Sequence, residues 1–325
     1  MISPRLQSQS TRLLMPELYL RNTGGTALTL DAESASRYLY DAILADQPFF
    51  VGRFGSTELL ICCYFLIDKK SETPPLRYNL WRRLQGGPFP PALVESLCIG
   101  AGFFPTDTAS IEQFAHVYLD AAAELDVLAS WMQQEDLVRR YGKLPKDLQH
   151  IPLEVLAPFT APLPWTQALE GKRVLVIHPF ATSIKQQYQC RELLFADPRV
   201  LPDFDLQVLP AVQSAGGSQV GYSTWFEALD YQKEQIATRT FDVAIIGAGA
   251  YGLPLGAFVK SLGKQALHLG GVTQCLFGIK GRRWADDYHW DERYFNEYWV
   301  WPREDERPTG ANAVENACYW GPEVS

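Results

Sequence analysis

At 325 residues and 47% hydrophobic content, the chain is long enough to bury one large α/β core or two ordinary ones. A formal net charge of −8 argues against a broad electrostatic grip on nucleic acid or anionic membrane, which needs clustered Lys and Arg, so no nucleic-acid partner is expected. The longest uninterrupted apolar stretch, Leu59 to Ile67, falls far short of the roughly 20 residues of a membrane span, and no apolar leader follows a basic start. A cytoplasmic protein without a membrane span is the expectation. The six cysteines form no C-x-x-C pair and read as buried reduced thiols.

Residues 1–30 are polar and unpatterned and read as an arm, although Leu13 to Leu20 could dock on the domain or on a second subunit. Ala35, Tyr38, Leu39, Ile43 and Leu44 follow helical spacing, which predicts a helix over 32–45. The β-rich run at 48–54, the Gly55-Ser56 punctuation and the apolar run at 57–67 predict a strand-turn-helix unit. A helical insertion is expected over about 70–165. Its strongest signal is the segment 110–134, where Ile111, Phe114, Tyr118, Ala122, Leu125, Leu128 and Trp131 repeat every three or four residues behind a Ser110–Gln113 capping box. Pro152, Pro158, Pro162 and Pro164 then mark a crossing back to the sheet. From 171 onward, strands at 173–178, 205–212, 241–247 and 264–270 alternate with helices. That alternation predicts right-handed crossovers and an α/β fold with a mostly parallel, Rossmann-like sheet covered by helices on both faces. One domain over 31–300 with a tail at 301–325 completes the expected organisation, and the arm and the aromatic segment 288–301 are candidate homo-oligomer contacts.

In such a sheet the ligand crevice lies beyond the carboxyl ends of the strands, so the informative residues follow each strand. Five loops result: 53–58, 178–185, 213–218, 247–252 and 268–274, all rich in Gly, Ser, Thr or cationic groups. Gly247, Gly249 and Gly252 spell G-x-G-x-x-G behind a strand, the spacing of a dinucleotide fingerprint. The carboxylate that would hold a ribose about 20 residues further on is replaced by His268, and the same glycines could simply permit close strand–helix packing. His178 ends a strand, and Thr182, Ser183 and Lys185 occupy the start of the next helix. Free amides, hydroxyls and an ammonium there make an anion site, or alternatively a capped helix beside a core histidine. Arg53 at an apolar strand end needs a partner if buried, and Glu58 in the following first turn, or a phosphate, would serve. The segment 270–284 joins glycines to Lys280, Arg282, Arg283 and Trp284 and could close over a diphosphate.

With those loops in hand, the segments FVGRFGSTEL (50–59), VLVIHPFATSIKQQY (174–188), 241–271 and TQCLFGIKGRRW (273–284) resemble the GT-D-type glycosyltransferases, an α/β family that transfers sugars from nucleotide-sugar donors. The resemblance implies a transferase working on a nucleoside-diphosphate sugar and a glycan or glycoconjugate acceptor, in surface-polysaccharide or glycoconjugate synthesis. It assigns Arg53 and Glu58 to catalysis. It places the donor against His178, Thr182, Ser183, Lys185, Gly247, Gly249, Tyr251, Gly252, His268, Gly270, Gly271, Gln274 and Lys280. In the family's better-known branch the first loop carries an Asp-x-Glu element associated with a divalent metal. Here Ser56 stands at the Asp position, which leaves Glu58 as the one carboxylate for Mn²⁺ or Mg²⁺, a poor cage for either ion. Two other readings stay open: an NAD- or FAD-dependent oxidoreductase built on the 247–252 glycines, and a non-catalytic nucleotide-sugar-binding protein.

Overall fold

The computed structural model describes residues 27–70, 76–161 and 163–322. Most of the predicted arm, including 13–20, lies outside the described residues, as does Pro162 of the predicted crossing. In chain order the elements are α1 (Ala32–Leu44), β1 (Phe49–Gly52), α2 (Ser56–Lys70), α3 (Leu76–Gln85), α4 (Pro91–Ile99), α5 (Thr108–Ala122), β2 (Val127–Ser130), α6 (Glu135–Arg140) and β3 (Gln149–Pro152). There follow β4 (Arg173–His178), α7 (Ala181–Tyr188), β5 (Asp205–Pro210), α8 (Trp225–Ala237), β6 (Val243–Ile246), α9 (Gly252–Ser261), β7 (Gln265–His268), α10 (Thr273–Leu276) and α11 (Arg282–Asp286).

The seven strands form one sheet in the order β3-β2-β1-β7-β6-β4-β5, and every pairing is parallel. Both faces are buried, so alternate residues of each strand enter different cores. Phe50, Leu175, Ile177, Ala244 and Ile246 join one, together with apolar residues of α2, α5, α8 and α9. Val51, Val174, Val176, Val243 and Ile245 join the other, together with α1, α7 and α10. No described helix is long and apolar enough to cross a membrane. All six cysteines are free.

The region 70–165 departs from the helical expectation in its second half. It is helical to Ala122, and then β2 and β3 extend the sheet beyond β1. Val127, Leu128 and Ala129 fit a helical repeat and a short buried strand equally well, and a tertiary contact decides between them. Asp126 accepts a hydrogen bond from the Phe50 amide at 2.7 Å and receives the Lys260 ammonium at 2.9 Å, which pins the start of β2 to β1 and α9. The cap of α5 also differs from the expected box, because Asp107 rather than Ser110 accepts from the first-turn amide. The segment after 301 is no free tail. Val314, Ala317 and Trp320 bury in the second core, and the Arg307 guanidinium donates to the Gly321 carbonyl.

Candidate functional site

Strand order and crossover side together open a crevice. β1 and β6 lead through α2 and α9 onto one face, whereas β4 and β7 lead through α7 and α10 onto the other. Because β1 lies beside β7 and β6 beside both β7 and β4, the exit loops of neighbouring strands diverge, which is the condition for a ligand crevice in a parallel sheet. A cavity of about 830 Å³ fills that space, within the range of small-molecule and cofactor sites. Arg53, Glu58, His178, Gly247, Gly249, Tyr251, His268, Gly270, Gly271 and Gln274 all line it.

Glu58 sits in the first turn of α2 and is 7% exposed. Its carboxylate lies against Gly55, where an added Cβ would meet Oε2 at 2.0 Å, so the loop requires glycine there for steric reasons. Burial pushes the Glu58 pKa up; its own amide and Arg53 oppose that shift, and Glu315 adds to it. The neighbouring Tyr118 is fully buried, with no hydrogen-bond partner for its hydroxyl among the described residues. Its pKa is raised by burial and then by the Glu58 charge.

Arg53 leaves β1 between two surfaces. One is the indole of Trp131, with the guanidinium 5.6 Å from the ring centroid; the other is Gly270, where a Cβ would approach Nε to 2.9 Å. Its Nη1 donates to the Phe54 carbonyl at 2.7 Å, an acceptor it shares with Trp131 Nε1 at 3.1 Å. No described carboxylate lies within ion-pair distance of this half-buried cation, and its attraction to Glu58 acts only over longer range. Trp131 is oriented in turn by buried Glu135, whose Oε1 accepts from the Trp131 and Met132 amides.

The two cleft histidines are neutral. Burial holds His178 down to about 3, and it holds His268 down to about 3 with help from the Arg53 charge. His178 Nδ1 accepts from the Phe180 amide at 3.0 Å, so the ring proton is on Nε2, which has no partner among the described residues. A neutral N–H donor therefore stands at the cleft wall. His268 has the other tautomer, its Nδ1–H donating to the Ile246 carbonyl at 3.3 Å.

That histidine also explains the third fingerprint glycine. A Cβ on Gly252 would lie 2.1 Å from His268 Cε1, so position 252 requires glycine for the close packing of α9 on β7. Gly247 is equally constrained, because a Cβ there would stand 2.7 Å from each of His178 Cδ2, Thr273 Oγ1 and the Gly270 carbonyl, while Gly249 has a positive φ of 52°. Gly252→Ala is expected to destabilise the fold by about 1–3 kcal/mol, the usual range for overpacking, as read by urea unfolding. A Gly252→Ala protein as stable as the parent would show that the imidazole does not fill this space.

The helix α7 corrects a sequence expectation. Its N-terminal amides are already taken by a carboxylate of the chain itself. Glu306 Oε1 accepts from the Thr182 amide at 2.7 Å and the Ser183 amide at 3.2 Å, and Oε2 accepts from the Ser183 hydroxyl. A helix N-terminus favours an anion, and here the C-terminal segment supplies it. Thr182, Ser183 and Lys185 do not line the cavity, and neither does Lys280, whose amide donates to the Val300 carbonyl. Gln274 is fully buried at the cleft, donating from Nε2 to the Lys280 and Tyr319 carbonyls, with Oε1 unpartnered among the described residues. The Tyr251 hydroxyl pairs with Ser214 at 3.0 Å, and its ring stacks on Trp225.

Ser214, in the expected loop 213–218, lines the wall; Tyr118 and Trp131, whose spacing fits a helical repeat, and Tyr319 also reach it, with no local signal that points them to a cleft. Arg283, noted in the basic run, does reach the cleft. It lies over the Tyr319 ring at 4.8 Å, donates to that hydroxyl at 3.1 Å and pairs with Glu315. Glu315, Asn316 and Ala317 all have positive φ, a left-handed turn that costs about 1–2 kcal/mol per residue and is held by the buried residues that follow it. A divalent metal is poorly served by this donor set. Ser56 and a single buried carboxylate face a cation, and no group of three or more His, Cys, Asp and Glu among the described residues is placed to hold an ion.

No family model matches the chain, and no curated protein does. Among solved structures it is similar to a selenomethionine-substituted domain of unknown function 1792, at 12% sequence identity and a TM-score of 0.35, over 88% of this chain and 85% of that one.

Proposed function

We propose that the protein is a glycosyltransferase that moves a sugar from a nucleoside-diphosphate sugar to an acceptor hydroxyl. The observation that carries this reading is the half-buried Arg53, without a carboxylate partner among the described residues, in the same crevice as the buried Glu58, whose pKa burial raises. A guanidinium in that position is stabilised by an anion with several oxygens, and a diphosphate fits its forked donors. Gly270 leaves room for the Arg53 guanidinium to lie against the backbone, and the His178 Nε2–H adds a neutral donor. In the transfer step the acceptor oxygen bonds to the anomeric carbon as its proton passes to the Glu58 carboxylate. The bond from that carbon to the diphosphate oxygen breaks, and the nucleoside diphosphate leaves with the electron pair beside Arg53. The resemblance of 50–59 and 174–284 to GT-D transferases supports the same assignment.

A panel of UDP-, GDP- and dTDP-sugars, each with and without Mn²⁺, is expected to contain at least one that raises Tm. Arg53→Ala should weaken that binding by more than about tenfold, the range for truncating one partner of a desolvated charge pair. A panel without any response would remove the reading. The oxidoreductase alternative predicts quenching of the nine tryptophans by NADH, but it lacks the ribose-binding carboxylate, whose position His268 takes. A binding protein without transfer would retain the nucleotide response and show no Glu58-dependent turnover.

A further inference from the structure

No step of the transfer gives Trp131 a role. It directly follows β2, and Leu153 directly follows β3; the register Ser130↔Pro152 brings both out at one level, and both line the main cavity. Trp131 is 46% exposed. Single exposed aromatics are ordinary on a protein surface, but this one lies in the cleft, whereas Trp301, the other exposed tryptophan among the described residues, does not line it. The indole is also held still. Its Nε1 donates to the Phe54 carbonyl at 3.1 Å, its backbone amide donates to Glu135 Oε1 at 3.1 Å, and the Arg53 guanidinium lies 5.6 Å from the ring centroid. Glu135 is fully buried and also accepts from the Met132 amide at 3.2 Å, which fixes the loop behind the ring. With Nε1 committed to the protein, the ring offers a ligand only its apolar surface.

Position decides which part of a ligand meets that surface. Arg53 and Trp131 donate to the same Phe54 carbonyl, and the next residue, Gly55, packs against the Glu58 carboxylate. The indole therefore stands beside the groups that hold the diphosphate and take the acceptor proton, at the reacting end of the ligand. A nucleobase is separated from that end by a ribose and the phosphates, whereas a sugar ring is joined to it directly. We propose that Trp131 is a platform for a pyranose ring, donor or acceptor, whose C–H face lies on the indole while its hydroxyls turn to the polar groups of the cleft. This rests on the transferase reading of the cleft. Covering the C–H face removes apolar surface from water on both partners, and a ring already fixed by three protein contacts loses little freedom when it is covered. Glu135 is then a positioning residue, acting on the sugar through Trp131.

Saturation-transfer NMR on the full-length protein tests this without any sugar donor. The probes are methyl glucoside, methyl galactoside and methyl mannoside, with uridine, guanosine and thymidine as uncharged comparisons that do not depend on a grip by Arg53. Irradiating the protein's aromatic protons should saturate ring C–H protons of at least one pyranoside, a readout on wild type that stands even where a variant does not fold. Trp131→Ala should weaken that pyranoside by about tenfold, and Trp131→Phe, which keeps an aromatic face and loses the bond to Phe54, by less than about threefold. Wild type without pyranoside saturation, undiminished binding in Trp131→Ala, or equal loss in both variants overturns the proposal. So does a Trp131-dependent response confined to the nucleosides, because the indole would then carry the base. Adding a sugar nucleotide that raises Tm names the source of the ring: displacement of the pyranoside assigns the platform to the donor sugar, and persistence assigns it to a sugar of the acceptor, each in support of the platform. Trp131-dependent pyranoside binding with a silent nucleotide-sugar panel keeps the platform and removes the transferase reading, whereas a positive panel with Trp131-independent pyranoside binding removes the platform alone.

Discussion

Glu58→Gln is expected to lower sugar transfer by about 10²- to 10⁴-fold, the usual contribution of a positioned general base, while raising Tm at neutral pH. The two effects share one cause. Burial disfavours the ionised carboxylate, so the folded-state pKa lies above the ordinary carboxyl value of 4.5. Between those two values the native state binds more protons than the unfolded chain, and stability falls as pH rises through the folded pKa. The amide keeps the shape and removes the charge, so the gain in Tm should be present at pH 8 and shrink towards pH 4.5. Activity needs the ionised form, and its acid limb should therefore lie above the ordinary carboxyl range. Transfer assays and thermal melts on one preparation check both. Transfer within a few-fold of wild type would end the base assignment, and a lower Tm at pH 8 would end the account of the buried charge.

Stability is expected to fall steeply between pH 6.5 and pH 4, driven by His178 and His268. Each imidazole titrates near 6.5 in the unfolded chain and is held down to about 3 in the fold by burial. As pH drops through 6.5 the unfolded state takes up protons that the native state cannot, so unfolding is favoured throughout the window from 6.5 to about 3. One histidine contributes about 1.4 kcal/mol per pH unit, and the pair therefore removes about 4 kcal/mol between pH 6.5 and pH 5, a large share of a typical domain stability. Glu58 and Glu135, both raised by burial, act with opposite sign just above 4.5. Asp242, held to about 2 chiefly by its hydrogen bond from Arg173, adds to the loss only below 3.8. Urea midpoints at pH 7, 6 and 5 measure the slope, and His178→Gln should reduce it by about half. A midpoint independent of pH over that range would show that the imidazoles charge freely in the folded state.

Much of the frame is readable from local pattern, with observed strands at 173–178 and 205–210 against expected ones at 173–178 and 205–212. Apolar runs of four to six residues separated by amphipathic helices leave little choice but parallel crossovers. Once the strands are parallel, Arg53, Glu58, His178, Gly247 and His268 must gather at one edge because each follows a strand end. The ambiguous places were those where two periods fit the same residues. Val127 to Ser130 became a strand because Asp126 could bind the β1 amide and Lys260, an option that no window of local sequence contains.

Local sequence was enough to dictate the alternation of elements and most of the loops that face the crevice. These depend on side-chain period and on turn chemistry, which act over a few residues. What each loop group touches was settled by the packing of the whole chain. It put Glu306 on the amides of Thr182 and Ser183 across more than 120 residues of chain, laid His268 into the space left by Gly252, and left Arg53 without a carboxylate among the described residues. The physical reason is that buried polar groups are satisfied by whichever partner the packing brings near, and a buried charge or an empty helix N-terminus does not distinguish a distant glutamate from a phosphate.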